Sequence, residues 1–423
     1  MTKIFFKSQT FTLKITIFES SFYAKRLSYK FNTMTTNNSI IQKVVFTLVA
    51  VSISTLSFGQ LPTNVLGQTN AGRVPTPTML FLNVSPDARS AGMGDAGVAI
   101  SSDVNAIYWN PAKLATADKD LGFAISYTPW LRNLVNDMAL YNIAGYKKTS
   151  KDQAFGFSIN YFDQGLFQAT TANGTSAGNF NSKEYALTVA HARKLSNALS
   201  LGVNLKYINS NLTGGYVAQG SQMKPAQTVA ADLALYWNSV SEKNWNLTYG
   251  LVLSNISGKV SYGGLDKNFI PTNLRVGVAA AKNIDEKNKL TLTLDLNKLM
   301  VPTPQSVDAN GNVTGTDPNN TTAIGGIFGS LFDAPDGFGE ELKEVTASLG
   351  AEYLYNNTFA IRGGYFNESA MKGDRKYFTM GVGFKLDQKY GFDFAYLVPT
   401  GSSSPLANTL RISLLAAINQ ERK

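Results

Sequence analysis

The chain has no cysteine, a single histidine and few charged residues. The lack of cysteine excludes disulfides, thiolate zinc sites, cysteine nucleophiles and a lipid-modified N-terminal cysteine. One histidine, His191, leaves little for acid–base catalysis. Charged residues make up 16% of the chain, against roughly 25% in an average soluble protein, so the surface is poor in charge. With 11% aromatic residues and 36 glycines, the composition favours a membrane protein or an extended β protein.

The chain also lacks an apolar run long enough for a transmembrane helix. The longest run, residues 44–56, is shorter than the roughly 18 residues that such a helix needs. A lysine precedes it, and Ser57 and Gly59 fit the small-residue positions of a signal-peptidase site. We therefore predict a signal segment over residues 1–59 with cleavage before Gln60.

The N-terminal segment carries most of the positive charge. Seven basic residues and one acidic residue lie in residues 1–59, so removing this segment lowers the formal charge from +9 to +3 and leaves no basis for nucleic-acid binding. Translation starts either at Met1, giving a long leader, or at Met34, which we favour because a signal peptide normally begins close to its basic region.

The residues after Leu121 alternate between apolar and polar side chains, which is the pattern of β-strands with one apolar face. In residues 289–299, for example, Leu290, Leu292 and Leu294 alternate with Thr291 and Thr293. The pattern predicts strands at 121–129, 136–147, 152–163, 182–194, 197–209, 226–239, 245–255, 272–283, 287–299, 344–355, 357–366, 375–387, 389–398 and 407–418.

The predicted connections are alternately tight and long. Short turns on one side and long polar loops on the other are typical of an outer-membrane barrel whose turns are periplasmic. We therefore predict an all-β fold, a 14-stranded antiparallel transmembrane β-barrel formed by residues 119–423, in the outer membrane of a Gram-negative bacterium with long loops at the cell surface. The alternative is a soluble β-sandwich, which seldom needs this many strands or such apolar outward faces.

Two motifs precede the strands and predict an N-terminal arm and a small helical hatch over residues 60–118. The first contains Gly92, Gly94, Asp95 and Gly97 and matches G-x-G-x-x-G, the pattern of a dinucleotide-binding site. Because no predicted strand leads into it, we interpret these glycines as tight turns of a plug, with helical structure over residues 91–100. The second motif, which contains Trp109, Asn110, Pro111 and Ala112, predicts the start of a helix. Asn110 can cap the helix N-terminus, and Pro111 can occupy the first helical position.

The residues of these two motifs resemble a known family. The runs RSAGMGDAGVA (residues 89–99) and YWNPA (residues 108–112) resemble the hatch of the FadL-like barrel superfamily and, within it, the PorV (LptO) family of the type IX secretion system. The resemblance implies a protein that is not an enzyme and has no cofactor. It implies binding of cargo proteins through their C-terminal signal domains, transfer from the translocon barrel subunit to a sortase-like attachment subunit, and contact with outer-membrane lipid.

Long loops suit the holding of cargo outside the membrane. The candidates are residues 165–182, 209–227, 256–272 and 300–343. The last contains an apolar stretch that predicts either a partner-binding site or a turn packed on the barrel rim: Ile324, Ile327, Phe328, Leu331 and Phe332. Its oxygen-rich run at residues 308–317 lacks the closing glutamate of a calcium loop and is better explained as a plain loop.

Alternation places nine charges of both signs inside the predicted barrel, where they would hold the hatch by pairing: Lys206, Asp232, Arg275, Asp295, Glu352, Arg362, Lys385, Asp393 and Arg411. An ion-selective pore would favour one sign. His191 falls on the lipid-facing side near the short turns, which argues against the lipid A deacylase activity proposed for this family. The alternative function is FadL-like transport of hydrophobic small molecules.

Overall fold

The structure is a computed structural model that describes residues 73–419 except 133–134, 136, 171–172, 215–223, 240–244, 264–265, 308–312, 316, 402–405 and 407–408. The predicted signal segment, the arm residues before 73 and most of the oxygen-rich run lie outside the described residues.

In this part of the chain, fourteen antiparallel strands close into a barrel, which confirms the predicted fold. The first strand, β1 (Leu121–Pro129), closes the barrel by pairing with both the next strand, β2 (Ala139–Lys148), and the last strand, β16 (Leu410–Ile418). The barrel strands are β1 (Leu121–Pro129), β2 (Ala139–Lys148), β3 (Gln153–Thr170), β4 (Ser176–Lys194), β5 (Leu199–Asn211), β6 (Ala226–Ser239), β7 (Asn246–Ser257), β8 (Asn273–Asn283), β9 (Lys289–Leu299), β12 (Val345–Tyr355), β13 (Phe359–Asn367), β14 (Lys376–Leu386), β15 (Tyr390–Pro399) and β16 (Leu410–Ile418). A small hairpin, β10 (Ser306–Val307) and β11 (Val313–Thr314), lies between β9 and β12.

The barrel carries its large apolar side chains on the outside. In β1, Phe123, Ile125 and Tyr127 are exposed, whereas Ala124 and Ser126 are buried against the lumen. On neighbouring strands the outward rings of Tyr127 and Tyr141 lie 5.3 Å apart. Apolar outward faces with interfacial aromatic residues are what a lipid environment requires, so the charge-poor composition reflects a lipid-facing belt.

The two ends of the barrel differ. At one end, here called the short-turn end, β12–β13 and β14–β15 are joined by tight turns whose central residues, Asn356–Asn357 and Asp387–Gln388, all have positive φ. Turns of this kind match the twist of a hairpin and favour Asn and Asp. The opposite end, here called the long-loop end, carries the segment 300–344 between β9 and β12.

The prediction of a loop at residues 165–182 is wrong, because most of this region extends the β3–β4 hairpin beyond the barrel. Pairing of β3 with β2 ends at Asp163, whereas pairing with β4 resumes at Leu166 after a bulge in which Gly165 has a φ of 80°. Beyond the barrel, within the described residues, the two strands pair only with each other, and Phe167 stacks on Phe180 with ring centroids 5.5 Å apart.

The described helices are short. Inside the barrel lie α1 (Ala88–Ala91), α2 (Ala106–Trp109) and two 3-10 turns, Leu80–Asn83 and Pro111–Thr116, while the long loop holds α3 (Ala323–Gly329) and α4 (Phe338–Lys343). The predicted helical structure over residues 91–100 is wrong beyond Ala91, because Gly94 and Asp95 have φ of 71° and 62°, which a right-handed helix cannot contain. None of the described helices has the length and apolarity to cross a membrane.

Candidate functional site

The segment before β1 runs through the barrel from one end to the other. At the long-loop end, the Arg73 guanidinium lies 2.6 Å from an oxygen of Asp336 and 2.7 Å from one of Glu340. At the short-turn end, the Lys148 N–H donates to the carbonyl of Asp120 at 2.7 Å, next to the start of β1. Residues 79–117 between these ends are the hatch, and they fill much of the lumen.

The glycine motif of the hatch fits against the barrel wall. A Cβ on Gly94 would lie 2.8 Å from the backbone N of Tyr365, and one on Gly97 would overlap the Trp109 ring. On the wall, a Cβ on Gly350 would lie 2.5 Å from the Met93 carbonyl oxygen, and one on Gly364 would overlap the Gly94 backbone. Gly94, Gly350 and Gly364 therefore allow backbone to approach backbone, and Gly97 leaves room for the Trp109 ring, so no phosphate is needed to explain these glycines.

Asp95 and the second motif fix this turn. Asp95 accepts hydrogen bonds from Arg411 at 2.7 Å and from Tyr377 at 2.6 Å. Asn110 caps the 3-10 turn by accepting from the Ala112 N–H, and its Nδ2 donates to the carbonyls of Val98 and Leu235 at 3.1 and 2.9 Å. Pro111 occupies the first position of that turn.

The nine charges predicted for the lumen all lie on strands, and most of them contact the hatch or each other. Asp295 accepts from the N–H groups of Gly97 and Val98 at 2.7 and 2.8 Å. Six others form ion pairs: Lys206 with Asp232 at 2.8 Å, Arg362 with Glu352 at 2.7 Å and with Asp393 at 2.6 Å, and Arg411 with Asp95 of the hatch. Arg275 lies over the rings of Tyr108 and Trp109. Lys385 lines a cavity at the short-turn end.

A cluster of buried ions lies at the long-loop end and was missed by sequence reasoning. This outer ion cluster joins the arm, the end of β9, α4 with the residue after it, and the β13–β14 loop, and it consists of Arg73, Lys298, Glu340, Glu341, Glu344 and Lys372. Lys372 lies 2.7 Å from Glu340 and 2.8 Å from Glu344. Burial acts to raise the pKa of Glu340, but hydrogen bonds from Arg73 and Lys372 outweigh it and lower that pKa to about 2.

The apolar stretch of the long loop forms α3 and the turn after it. The helix is capped by Thr322, whose side chain accepts from the Gly325 N–H, and Ile327 is buried with 2% exposure. Leu331 is half-buried. The remaining three side chains point outward with exposures of 68%, 58% and 83%; they are named here the apolar loop face and are Ile324, Phe328 and Phe332. Sequence reasoning left open whether this stretch is exposed, and the structure exposes three of its five residues.

Cavities lie inside the described barrel towards both of its ends. The cavity at the long-loop end measures about 500 Å³ and continues inward to a smaller one of about 90 Å³, with Ser85 and Asn297 in the walls of both. The cavity at the short-turn end measures about 360 Å³ and shares no lining residue with the other two. The ion network around Arg89, Glu352 and Arg362 lies on the wall of the short-turn cavity.

His191 lies outside the lumen. Its ring packs against Phe155 with centroids 4.7 Å apart, and Nε2 lies 3.4 Å from the Gln153 side-chain oxygen. Its neighbours on β4, Ala190 and Ala192, are buried against the lumen, so His191 is on the outward face, as its sequence position predicts.

Comparisons with known proteins identify a family that this chain matches. The family described as "Type IX secretion system protein PorV" matches residues 67–306. Similar solved structures include the Pseudomonas putida toluene transporter TodX (14% identity, 79% of this chain and 99% of that chain, TM-score 0.48), the Ralstonia pickettii toluene transporter TbuX (14%, 79% and 98%, 0.46) and a Pseudomonas aeruginosa FadL homologue (13%, 79% and 99%, 0.41). No curated protein matches the chain.

Proposed function

The chain belongs to the PorV family of the type IX secretion system, and from that premise we propose that it carries secreted cargo on the outer surface of the cell. In this proposal it binds cargo through the C-terminal signal domain. It accepts the cargo from the translocon barrel subunit and passes it to the sortase-like attachment subunit. The observation that carries the proposal is the family match, which covers the hatch and the first nine barrel strands.

The two ends of the barrel support an orientation. Outer-membrane barrels have short periplasmic turns and longer extracellular loops, so we orient the long-loop end outward. The outer ion cluster, the β3–β4 hairpin extension and the apolar loop face then all lie at the cell surface, where cargo would be held.

We assign the cargo contact to the apolar loop face. Single exposed apolar residues are ordinary, but Ile324 and Phe328, one turn apart on α3, together with Phe332 just after it, form a patch of the kind that marks interaction sites. Aromatic residues such as Phe328 and Phe332 also supply much of the binding energy at protein interfaces. The cap at Thr322 and the buried Ile327 hold the helix in place, so the face is rigid before a partner arrives.

The test replaces Ile324, Phe328 and Phe332 together by serine. The matched control replaces Leu195 and Ile284 by serine; these residues are also more than half exposed but lie in turns at the short-turn end. We expect the triple variant to reach the outer membrane and to recover several-fold less cargo in affinity purification, while the control recovers normal amounts. Normal cargo recovery by the triple variant would contradict the assignment. If only the translocon barrel subunit is missing from the proteins recovered with this variant, the apolar loop face binds that subunit instead of cargo.

Transport of hydrophobic small molecules remains the second candidate. It requires a route through the lumen, and the hatch is packed on wall glycines in the described structure, with separate cavities above and below it. Transport would therefore require the hatch to move, whereas cargo binding at the loops requires no such movement.

A further inference from the structure

The outward face of the barrel is poor in charge, but basic residues are grouped at one place near the short-turn end. In the half of the described strands towards that end, the outward positions hold no acidic side chain and four basic ones: Lys147, His191, Arg193 and Lys282. The first three lie on β2 and β4, which flank β3, whereas Lys282 lies on β8. Cations that only mark the membrane boundary would be spread around the barrel, so this grouping calls for an explanation.

The strand register places the three grouped residues on one outward surface. The residue before each of Lys147, His191 and Arg193 is buried against the lumen, so all three point outward. Lys147 pairs with Phe155, and Phe155 pairs with His191. Lys147 and His191 are therefore two strands apart, which is about 10 Å at the usual strand spacing. Arg193 follows His191 by two residues and pairs with Gln153, so long side chains can reach one group between them.

The two permanent charges of this group have no counter-charge. Within the described residues, no carboxylate oxygen lies within 4.0 Å of the Lys147 ammonium or the Arg193 guanidinium. The adjoining β2–β3 turn adds one lysine and one aspartate, whose formal charges cancel. Between the two cations, the Gln153 side-chain oxygen lies 3.4 Å from Nε2 of His191, so the amide NH₂ of Gln153 still points to a donor role. The surface thus offers positive charge and donors, and calls for an anionic partner.

Towards the middle of the membrane the same strands are apolar. The next outward positions along β3 and β4 are all exposed and apolar: Phe157, Ile159, Leu187 and Val189. Cations beside a lipid-facing belt keep their charged groups at the boundary while their stems lie along the apolar surface. The matching molecule has an anionic head group at the short-turn end and acyl chains that run along the belt.

We propose that the surface formed by Lys147, Gln153, His191 and Arg193 binds a phospholipid of the periplasmic leaflet through its phosphate. Lysine and arginine both form strong charge-assisted hydrogen bonds with phosphate, and basic groups at a membrane boundary bind lipid head groups. The orientation given above places this surface in the periplasmic leaflet, which consists of phospholipid, whereas lipid A lies in the opposite leaflet. The proposal rests on that orientation and is independent of cargo binding at the loops.

The test measures lipid binding to the purified full-length protein in a non-ionic detergent by native mass spectrometry at several lipid concentrations. The probes are dioleoylphosphatidylglycerol, dioleoylphosphatidylethanolamine and, as the match without phosphate, dioleoylglycerol. We expect the wild-type protein to bind both phospholipids about fivefold or more tightly than dioleoylglycerol, because each basic residue at a membrane surface strengthens head-group binding by that order. Equal binding of the three lipids, or tighter binding of lipid A than of either phospholipid, would overturn the proposal.

The double variant Lys147→Gln with Arg193→Gln removes both charges and is expected to lose most of this preference. The matched control, Lys287→Gln with Lys389→Gln, removes two exposed charges from turns at the same end and should keep it. Arg193→Lys keeps the charge and should keep most of the preference. A preference that the double variant retains, or that the control loses to the same extent, would contradict the proposal.

Two further measurements keep the test decisive. If the double variant fails to fold, the two single variants replace it, and an unchanged preference in both would overturn the proposal. Affinity purification from the native outer membrane covers the case of a protein on this surface. If the double variant loses a protein partner there but binds the phospholipids as the wild type does in detergent, the surface binds that protein and the proposal is wrong.

Discussion

The indole Nε1 of Trp109 donates a hydrogen bond of 2.6 Å to Oδ1 of Asp87, and so ties the end of α2 to the residue that caps α1. The other oxygen of Asp87 accepts from the Ser90 N–H at 2.8 Å. Both residues are buried, with 5% exposure for Trp109 and none for Asp87. This bond closes the hatch on itself, so we expect the hatch to behave as one folded unit within the barrel.

The substitution Trp109→Phe tests this bond. It leaves a buried carboxylate oxygen without its donor, which costs about 1–3 kcal/mol, and because a phenyl ring is smaller than an indole it also leaves a cavity, which adds to that cost. We expect the thermal unfolding midpoint in detergent to fall and the hatch to become more sensitive to protease. The control is Trp237→Phe, because Trp237 is 56% exposed on the outer face. Equal shifts in the two variants would show that the indole bond does not hold the hatch.

Two adjacent glycines on β13 give a sharper test of how the hatch is seated. A Cβ at Gly364 would overlap the backbone of Gly94, whereas a Cβ at Gly363 would have its nearest neighbour at 4.0 Å. We expect Gly364→Ala to destabilise the seated hatch by about 1–3 kcal/mol, as overpacking does, and Gly363→Ala to be near neutral. Thermal midpoints and protease cleavage within residues 92–105 measure both, and a neutral Gly364→Ala would mean that the hatch is loosely seated.

The outer ion cluster predicts a dependence on pH. The pKa of Glu340 is lowered to about 2 in the folded protein, against roughly 4.3 in an unfolded chain. A lowered carboxyl pKa stabilises the fold fully above the unfolded value, and this contribution is lost as the pH falls from about 4.3 towards 2. Wild-type protein should therefore unfold at a higher temperature than Glu340→Gln at pH 6, and the difference should shrink at pH 3.

A neighbouring ion pair provides the control for this experiment. Lys376 and Asp374 lie 2.8 Å apart but are exposed, and exposed pairs contribute little. The Asp374→Asn variant should differ little from the wild type at either pH. A gap between wild type and Glu340→Gln that stays constant from pH 6 to pH 3 would contradict the assigned role of Glu340.

His191 bears on whether the protein is an enzyme. Its ring packs on Phe155 on the outer face, away from the lumen and its cavities. We expect His191→Ala to leave the lipid A acyl chains unchanged, as determined by mass spectrometry of extracted lipid A from cells carrying the variant or the wild-type protein. Loss of a deacylation that the purified wild-type protein performs would show that this histidine is catalytic.

The barrel strands could be predicted from the sequence because each alternates between lumen and lipid along its length, as Phe123, Ala124 and Ile125 do. The hairpin extension was missed because, beyond Gly165, the strands leave the barrel and both faces meet water. Helix α3 was missed because three of its seven residues are glycine, which lowers helix propensity.

The outer ion cluster could not be predicted for a different reason. Arg73 and Glu340 are 267 residues apart, and Lys372 donates to the Arg73 carbonyl across 299 residues. Only closure of the barrel and passage of the arm through it bring these residues together. The grouping of Lys147 with Arg193 likewise becomes visible only when the register of β2, β3 and β4 is known.

The most direct test of the secretion role is affinity purification of the tagged protein from its native outer membrane, followed by mass spectrometry of the recovered proteins and small molecules. Our account predicts recovery of the translocon barrel subunit, the sortase-like attachment subunit and cargo with C-terminal signal domains. Recovery of hydrophobic small molecules with none of these proteins would contradict the account and favour transport.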